Sequence, residues 1–328
     1  MMGLLAGLVC PAAAAGASEF ISMPTDDVSR VHATFCPKLE DIVRDKVAEA
    51  RRRTSASSGL LRIFFHDCFP NGCDASLLLE RSHLYFSERD RPQNGGLHQG
   101  ALDLIQRIRD AVRDAKCTDV SCADITMLAT RAAIRQSGGP DYAVVLGRQD
   151  SIDPARFDQV DRFLPARDAK IGKLIEVFQS LRFDKTDLTA LSGAHHRKDK
   201  LWSLESRTGE AAWFVDAIKR NCNNSSDKKH DLDVATPNDF DNKYYANIIA
   251  GMGVLSTDME LLNDQFTKDL VHKWANDKDD FFRKFSDAMA KMARLPVSGR
   301  TEFRDNCFRR KSMRETVNVT AEGFAASA

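Results

Sequence analysis

Apolar residues along this chain recur at helical rather than alternating spacing. Leu102, Ile105, Ile108 and Val112 form one stripe, and Phe281, Phe285, Met289 and Met292 form another. Residues three and four apart share a face of an α-helix, so each stripe predicts a helix with one side turned to a core. Strand signals are scarce. The one short β-like run, Tyr142 to Leu146, sits between the turn residues Gly138-Gly139-Pro140 and Gly147. The pattern predicts a mainly α protein without an internal repeat or a low-complexity linker. From Phe308 to Ala328 the periodicity fades and the residues become small and polar, which predicts a flexible extension.

A chain of 328 residues is long for one compact core, so one large domain or two lobes sharing a cleft is expected. Its 47 basic and 47 acidic residues cancel, and nothing in the bulk charge points to nucleic acid or an anionic membrane. The start, MMGLLAGLVCPAAAAGASEF, carries a short apolar run that ends in Ala15-Gly16-Ala17 before Ser18. That suits a secretory signal over residues 1–17, although the usual basic n-region is missing. No later segment approaches the ~18 apolar residues that span a bilayer. Export agrees with the cysteines. Cys10 would leave with the signal, and Cys36, Cys68, Cys73, Cys117, Cys122, Cys222 and Cys307 would enter an oxidising compartment. Their number is odd, and sequence alone does not assign their connectivity. Sequons at Asn223, Asn224 and Asn318 would permit glycosylation of an exported chain.

The densest chemistry lies in LRIFFHDCFPNGCDAS, which begins at Leu61 and runs to Ser76. Arg62 and His66 are four apart, so a helix sets a fixed cation and a titratable base on one face. Asp67, Asp74 and Ser76 then offer hard oxygen ligands around the Asn71-Gly72 turn, bracketed by Cys68 and Cys73. Taken singly, an arginine and histidine at this spacing make an ordinary surface pair and the acidic turn an ordinary solvated one. Together they read as a calcium loop beside an acid/base pair.

This segment resembles the distal motif of the secreted plant haem peroxidases, the class III family. The resemblance continues through Glu88 and Asn94, VSCADI at Val120 to Ile125, LGRQDS at Leu146 to Ser151 and LSGAH at Leu191 to His195. It ends with FDNKYY at Phe240 to Tyr245 and STDMEL at Ser256 to Leu261. These landmarks fall in family order from about Ser18 to Cys307. The resemblance implies a mainly α, two-lobed haem peroxidase fold over residues 18–307, with haem between a lobe carrying His66 and a lobe carrying His195.

Cleaving the O–O bond of hydrogen peroxide needs a base, a proton donor to the departing oxygen, and positive charge where negative charge develops. The resemblance assigns these tasks to His66 and Arg62, with Asn94 orienting the histidine. It makes His195 the axial ligand and Asp258 the carboxylate on that imidazole's other N–H. The carbonyl of Pro165 would accept from a phenolic donor at the haem edge. The chain lacks the C-x-x-C-H signature, so a non-covalent haem b is implied.

For calcium, the resemblance implies a distal site from the side chains of Asp67, Asp74 and Ser76 and the carbonyls of Asp67, Pro70 and Gly72, with Glu88 reaching through water. It implies a proximal site from Asp233, Thr236, Asp241 and the carbonyl of Asp239. It also pairs Cys36 with Cys117, Cys68 with Cys73 and Cys122 with Cys307, and makes Asp124 and Arg148 a buried ion pair. One departure stands out. Where the family has threonine or serine after the axial histidine, this chain has His196, followed by Arg197-Lys198-Asp199-Lys200. Imidazole is a poor calcium ligand, so only the His196 carbonyl remains to bind, and weaker proximal calcium with a more mobile loop is expected. The cysteine that would pair with Cys222 is absent, with Trp202 in that region, so Cys222 is expected to be unpaired.

The resulting expectation is a secreted, monomeric haem peroxidase that reduces hydrogen peroxide and oxidises phenolic or similar aromatic donors by one-electron steps. It would act outside the cell at the wall, or alternatively in the vacuole, with no nucleic-acid or membrane partner. The altered segment after His195 motivates the alternative, a degenerate exported protein with impaired haem binding that acts as a binding or cell-wall module. An intracellular ascorbate-type peroxidase fits the helix pattern but not the signal-like start or the cysteines.

Overall fold

The structure is a computed structural model that describes residues 36–53, 56–83, 85–117, 119–195, 199–200, 212–222 and 229–311. The expected signal, Cys10, the three sequons, His196, Trp202, the side chain of Cys222 and the extension from residue 312 lie outside the described residues. Among those described, twelve α-helices dominate, as the periodicity predicts.

Four helices form the first group: α1 (Leu39–Arg53), α2 (Ala56–Asn71), α3 (Gln99–Asp114) and α4 (Cys122–Gln136). Here α1 and α2 each pack on α3 and α4. The Leu102, Ile105, Ile108 and Val112 stripe of α3 is buried in that interface, and Ser121 caps α4 by accepting the Asp124 N–H. Next come α5 (Phe157–Phe163), α6 (Ile171–Ser180), α7 (Lys185–Ser192) and α8 (Ala212–Cys222). They are followed by α9 (Lys243–Ile249), α10 (Ser256–Met259), α11 (Gln265–Trp274) and α12 (Lys278–Met292). In the second group α12 packs on α7, and α11 on α7 and α9. Its core holds the predicted Phe281, Phe285, Met289 and Met292, with Phe240, Tyr245 and Trp274 in ring contact with Phe281. Helix α2 reaches across to this group. Phe65 and Phe69 meet Phe178 of α6, and Phe69 meets Phe183.

The β-like run at Tyr142 to Leu146 is not a strand. Tyr142 and Leu146 are buried, but the run has no ladder partner, and a strand is defined by its partner. The pairing falls instead at β1 (Asp150–Ser151) with β4 (Thr301–Glu302), antiparallel with Asp150 opposite Glu302. A second two-residue pair joins β2 (Asp199–Lys200) to β3 (Lys229–His230).

Three disulfides form with the implied pairing: Cys36–Cys117, Cys68–Cys73 and Cys122–Cys307. The first and third close loops of 81 and 185 residues, where cross-linking typically contributes on the order of 4 kcal/mol. The implied Asp124–Arg148 ion pair takes a different form. Asp124 accepts the backbone N–H groups of Gly147 at 2.8 Å and Arg148 at 3.2 Å, while the Arg148 guanidinium donates to the carbonyls of Leu295 and Ala293. Arg148 is thereby spent on the carbonyls of two buried residues just after α12, and its attraction to Asp124 acts at longer range.

The buried ion pair that ties the molecule together is another one. Arg304 and Asp150, both 0% exposed, approach to 3.7 Å. Arg304 also donates to the carbonyls of Cys307 and Ala75, each at 2.6 Å, and Asp150 accepts the Ala123 N–H at 3.0 Å. The pair thus joins the C-terminal segment to the start of α4 and to the acidic turn after α2. Arg304→Ala strands the Asp150 charge, and the expected loss is about 3–5 kcal/mol of stability, read from the denaturant midpoint. A loss under about 1 kcal/mol, in the range of a surface ion pair, would overturn this account.

Candidate active site

Helix α2 sets Arg62 and His66 one turn apart, as their spacing predicts, with Arg62 Nε 3.4 Å from His66 Nε2. The guanidinium is held from the far side by a loop. It donates to the carbonyls of Gly95 at 3.0 Å and of Gln93 and Gly96 at 3.3 Å. Asn94, in the same loop and 2% exposed, turns its Oδ1 to His66 Nδ1 at 2.7 Å. Its Nδ2 donates to the Glu88 carbonyl at 2.9 Å. That second bond fixes which end of the amide faces the ring. His66 Nδ1 therefore carries the proton, and Nε2 is the basic nitrogen.

Burial, reinforced by the Arg62 charge, pushes His66 down to about 3, against a smaller upward pull from the Asn94 bond. The ring is neutral at ordinary pH and able to accept a proton. A further cation that sequence reasoning missed acts on it as well. Arg167 shares the Gly95 carbonyl with Arg62, donating to it at 3.0 Å and to the Pro92 carbonyl at 3.3 Å, and its charge also lowers His66. Arg167 lies two residues after Pro165, which is itself half-buried, so the Leu164-Pro165-Ala166 segment borders the distal loop.

Asp67, Asp74, Ser76 and Glu88 are all buried where α2 turns into its following loop. The turn depends on Gly72, whose φ of +84° is left-handed and whose missing Cβ would sit 2.1 Å from the Pro296 carbonyl oxygen. Asp67 accepts from the N–H groups of Ala75 at 2.9 Å and Leu77 at 3.3 Å. Asp74 accepts from Asn71 and from the Ser76 N–H, both at 2.9 Å. Glu88 Oε1 accepts the Ala155 N–H at 2.7 Å. Glu88 Oε2 and Ser76 Oγ are buried without a well-formed hydrogen bond. The serine hydroxyl is still near enough to Asp74 and Glu88 to pull both somewhat down.

Burial dominates, and pushes Asp67 well up, Asp74 to about 6 and Glu88 to about 8, with the Asp74 charge raising both of its neighbours. Crowded carboxylates with orphaned oxygens are the donor set of a hard cation. No three His, Cys, Asp or Glu side chains converge as a metal site among the described residues. A cation here would therefore need the serine and the carbonyls of Asp67, Pro70 and Gly72 as well as the carboxylates.

On the other side, His195 follows α7 and sends Nδ1 to Asp258 Oδ2 at 2.8 Å. Its side chain is 40% exposed, against 1% for Asp258. The carboxylate takes the Nδ1 proton's hydrogen bond, so Nε2 is the nitrogen a metal would take. His195 lies close enough for its charge to lower His66. Two imidazoles, each with Nδ1 engaged by its own oxygen acceptor, thus lie near enough to act on one another electrostatically. That donor chemistry fits a planar iron cofactor with one axial protein ligand.

The proximal loop is built differently. Asp233 Oδ1 accepts from the Ala235 and Thr236 N–H groups and from Asn247 Nδ2, at 2.9, 3.1 and 2.7 Å. Thr236 Oγ1 bridges Asp233 Oδ2 at 3.1 Å and Asp241 Oδ1 at 3.0 Å, and the Asp239 N–H closes a turn on the Thr236 carbonyl. The four predicted residues are brought together, with Asp233 Oδ1 met by three N–H donors and Asp241 Oδ1 by the Lys243 N–H at 2.7 Å, while the single Thr236 hydroxyl proton can serve only one of the two carboxylates at a time. The role of His196 falls outside the described residues.

Comparison with known proteins gives a family match and close relatives. The peroxidase family model matches residues 40–277. Cationic peroxidase SPC4 of Sorghum bicolor is 38% identical over 295 residues, which cover 86% of this chain and 81% of that protein. Peroxidase 63 of Arabidopsis thaliana is 38% identical over 292 residues, covering 84% and 88%, and Peroxidase 31 of the same plant is 36% identical over 288 residues, covering 84% and 91%. Nothing in these relationships favours the degenerate alternative. The chain belongs to the peroxidase family, in the plant class III group that its motifs resemble, and is an enzyme that acts on hydrogen peroxide.

Proposed function

We propose that the protein is an exported, monomeric haem b peroxidase whose reaction with hydrogen peroxide is run by Arg62, His66 and Asn94. The observation that carries this reading is the neutral His66, locked in one tautomer by Asn94 at 2.7 Å and set beside a fixed cation. Bound between the two helical groups on His195 Nε2, haem would supply the iron that takes up peroxide and stores oxidising equivalents for release one at a time. His66 Nε2 takes the proton from one peroxide oxygen and returns it to the departing one. Arg62 stabilises the negative charge that develops as the O–O bond lengthens. Asn94 keeps Nδ1 protonated throughout. Asp258 gives His195 a stronger donor character, favouring oxidised iron. Phenolic donors approach the edge bordered by Pro165, and residues 1–17 direct export to the wall or the vacuole.

The test is a spectrum of the haem-loaded protein before and after one equivalent of hydrogen peroxide. The Soret band is expected to shift on mixing and to return on adding a phenol. A band indifferent to peroxide would refute the reading. His66→Ala should keep its haem yet react with peroxide about 10²–10⁴-fold more slowly. The wild-type rate should hold level as pH falls below the ordinary histidine value near 6.5 and drop only toward about 3, because protonated His66 cannot accept a proton. A rate that halves near pH 6.5 contradicts this.

The distal acidic turn holds one calcium ion tightly, and the proximal loop, whose Asp233 and Asp241 are already met by N–H donors, holds a second more weakly. Dialysed protein should retain one ion per chain, and two slowly exchanging ions would overturn the distinction. Calcium removal also has a signed pH dependence. With Asp74 raised to about 6 and Glu88 to about 8, the metal-free native state holds more protons than the unfolded chain from about pH 4 to about pH 8. Metal-free stability therefore falls as pH rises through that window. The drop in melting temperature on stripping calcium should be larger at pH 7.5 than at pH 5, and an equal or reversed difference contradicts the assignment.

A further inference from the structure

Tyr244, in the FDNKYY stretch, is buried with 0% exposure, and its hydroxyl donates to Asp258 Oδ2 at 2.6 Å. This is the same oxygen that the His195 Nδ1–H reaches at 2.8 Å. Asp258 is 1% exposed, so water does little to dilute either bond. The phenol bond has the length of a charge-assisted O–H to carboxylate contact. The edge of the tyrosine ring meets the His195 ring, with centroids 6.4 Å apart.

Helix α9 holds the phenol in place from both ends. Asn242 at its start donates to the carbonyls of Trp274 at 2.8 Å and Ala275 at 3.0 Å. Asn247, three residues after Tyr244 and so on a neighbouring face, donates to Asp233 at 2.7 Å. Neither anchor involves Asp258, so the position of the hydroxyl is set independently of the bond that it makes.

We propose that Tyr244 is a positioning residue that limits how strongly His195 donates to the haem iron, by sharing Asp258 Oδ2 with it. The inference rests on the reading of His195 as the axial ligand. A carboxylate that draws strongly on the Nδ1 proton gives the imidazole more imidazolate character and makes it a stronger donor. The Tyr244 hydroxyl takes part of the negative charge on that oxygen, which weakens its hold on the histidine proton. It also fixes the carboxylate's rotation, so the His195 ring is aimed as well as moderated.

Tyr244→Phe keeps the ring and removes only the hydroxyl. In the haem-loaded protein the ferric/ferrous midpoint is expected to fall by about 59 mV, a tenfold shift toward the ferric form for a one-electron couple. The iron–histidine stretching frequency of the ferrous form should rise with it. Tyr245→Phe is the control, because Tyr245 is equally buried and its hydroxyl bonds the Thr189 carbonyl at 2.9 Å. Loss of a buried hydrogen bond as such lowers the melting temperature of both variants, whereas the potential should move only in Tyr244→Phe. Replacement of Tyr244 by 3-fluorotyrosine, a stronger donor of similar size, should raise the potential, and this keeps the inference testable if Tyr244→Phe does not fold. An unchanged potential in Tyr244→Phe, or an equal shift in both phenylalanine variants, overturns the proposal. A wild-type protein without an iron–histidine stretch would instead overturn the axial role of His195, before any variant is compared.

Discussion

Burying a histidine beside an arginine makes protonation of its ring costly, and the distal half of this molecule is arranged around that cost. His66 is pushed down to about 3 by burial and by Arg62, so its two ring nitrogens must hold different roles. Asn94 decides which. Its amide is oriented by the Glu88 carbonyl, and Glu88 itself is buried in the acidic turn. The state of the base therefore depends on a backbone carbonyl of the loop that holds the carboxylates. A helix alone supplies the spacing of Arg62 and His66, but not the tautomer.

The two halves use buried carboxylates in opposite ways. Around α2, burial raises Asp67, Asp74 and Glu88, the Asp74 charge raises the other two further, and Glu88 Oε2 and Ser76 Oγ are left without well-formed bonds, an arrangement that favours a cation. In the proximal half each carboxylate is already met by donors: Asp233 by three N–H groups and Asp258 by an imidazole and a phenol. Carboxylates satisfied by neutral donors hold a fixed geometry without a metal. That difference, rather than the number of acidic residues, separates a site that calls for an ion from one that can stand without it.

Much of this was legible in the sequence where the information is local or belongs to a long motif. The α3 and α12 stripes name residues that are buried, because helical periodicity is set by neighbours three and four apart. Arg62, His66, Asn94, His195 and Asp258 stand in the named motifs, and the structure brings Arg62 and Asn94 to His66 and Asp258 to His195. Pairings between distant segments were not legible. Arg304 and Asp150 are 154 residues apart, and nothing in spacing marks them as partners. Asp124 and Arg148 show the reverse failure, since the resemblance named the residues while the guanidinium found carbonyls after α12 instead. Tyr142 to Leu146 looks like a strand because its apolar residues face a core, yet a strand also needs a neighbour. Tyr244 stands in the FDNKYY landmark but is assigned no role there, and Arg167 carries no local signature, because a buried phenol or a guanidinium on carbonyls becomes meaningful only when its acceptor is known.

Helix α2, which carries Arg62 and His66, is fixed at its C-terminal end by covalent and ionic ties that converge on one turn. Asp67 follows His66 directly and binds the N–H of Ala75. The Cys68–Cys73 bridge closes the same turn, and the carbonyl of Ala75 accepts from Arg304. Arg304 is three residues from Cys307, whose disulfide reaches the first residue of α4. Displacing His66 along its helix axis would therefore strain two disulfides, a buried ion pair and the acidic turn together. An acid/base group that must meet a reacting atom within a fraction of an ångström gains more from such redundancy than from any one strong contact. The same redundancy gives a physical reason for a C-terminal segment, far from His66 in sequence, to be buried against the turn that follows its helix.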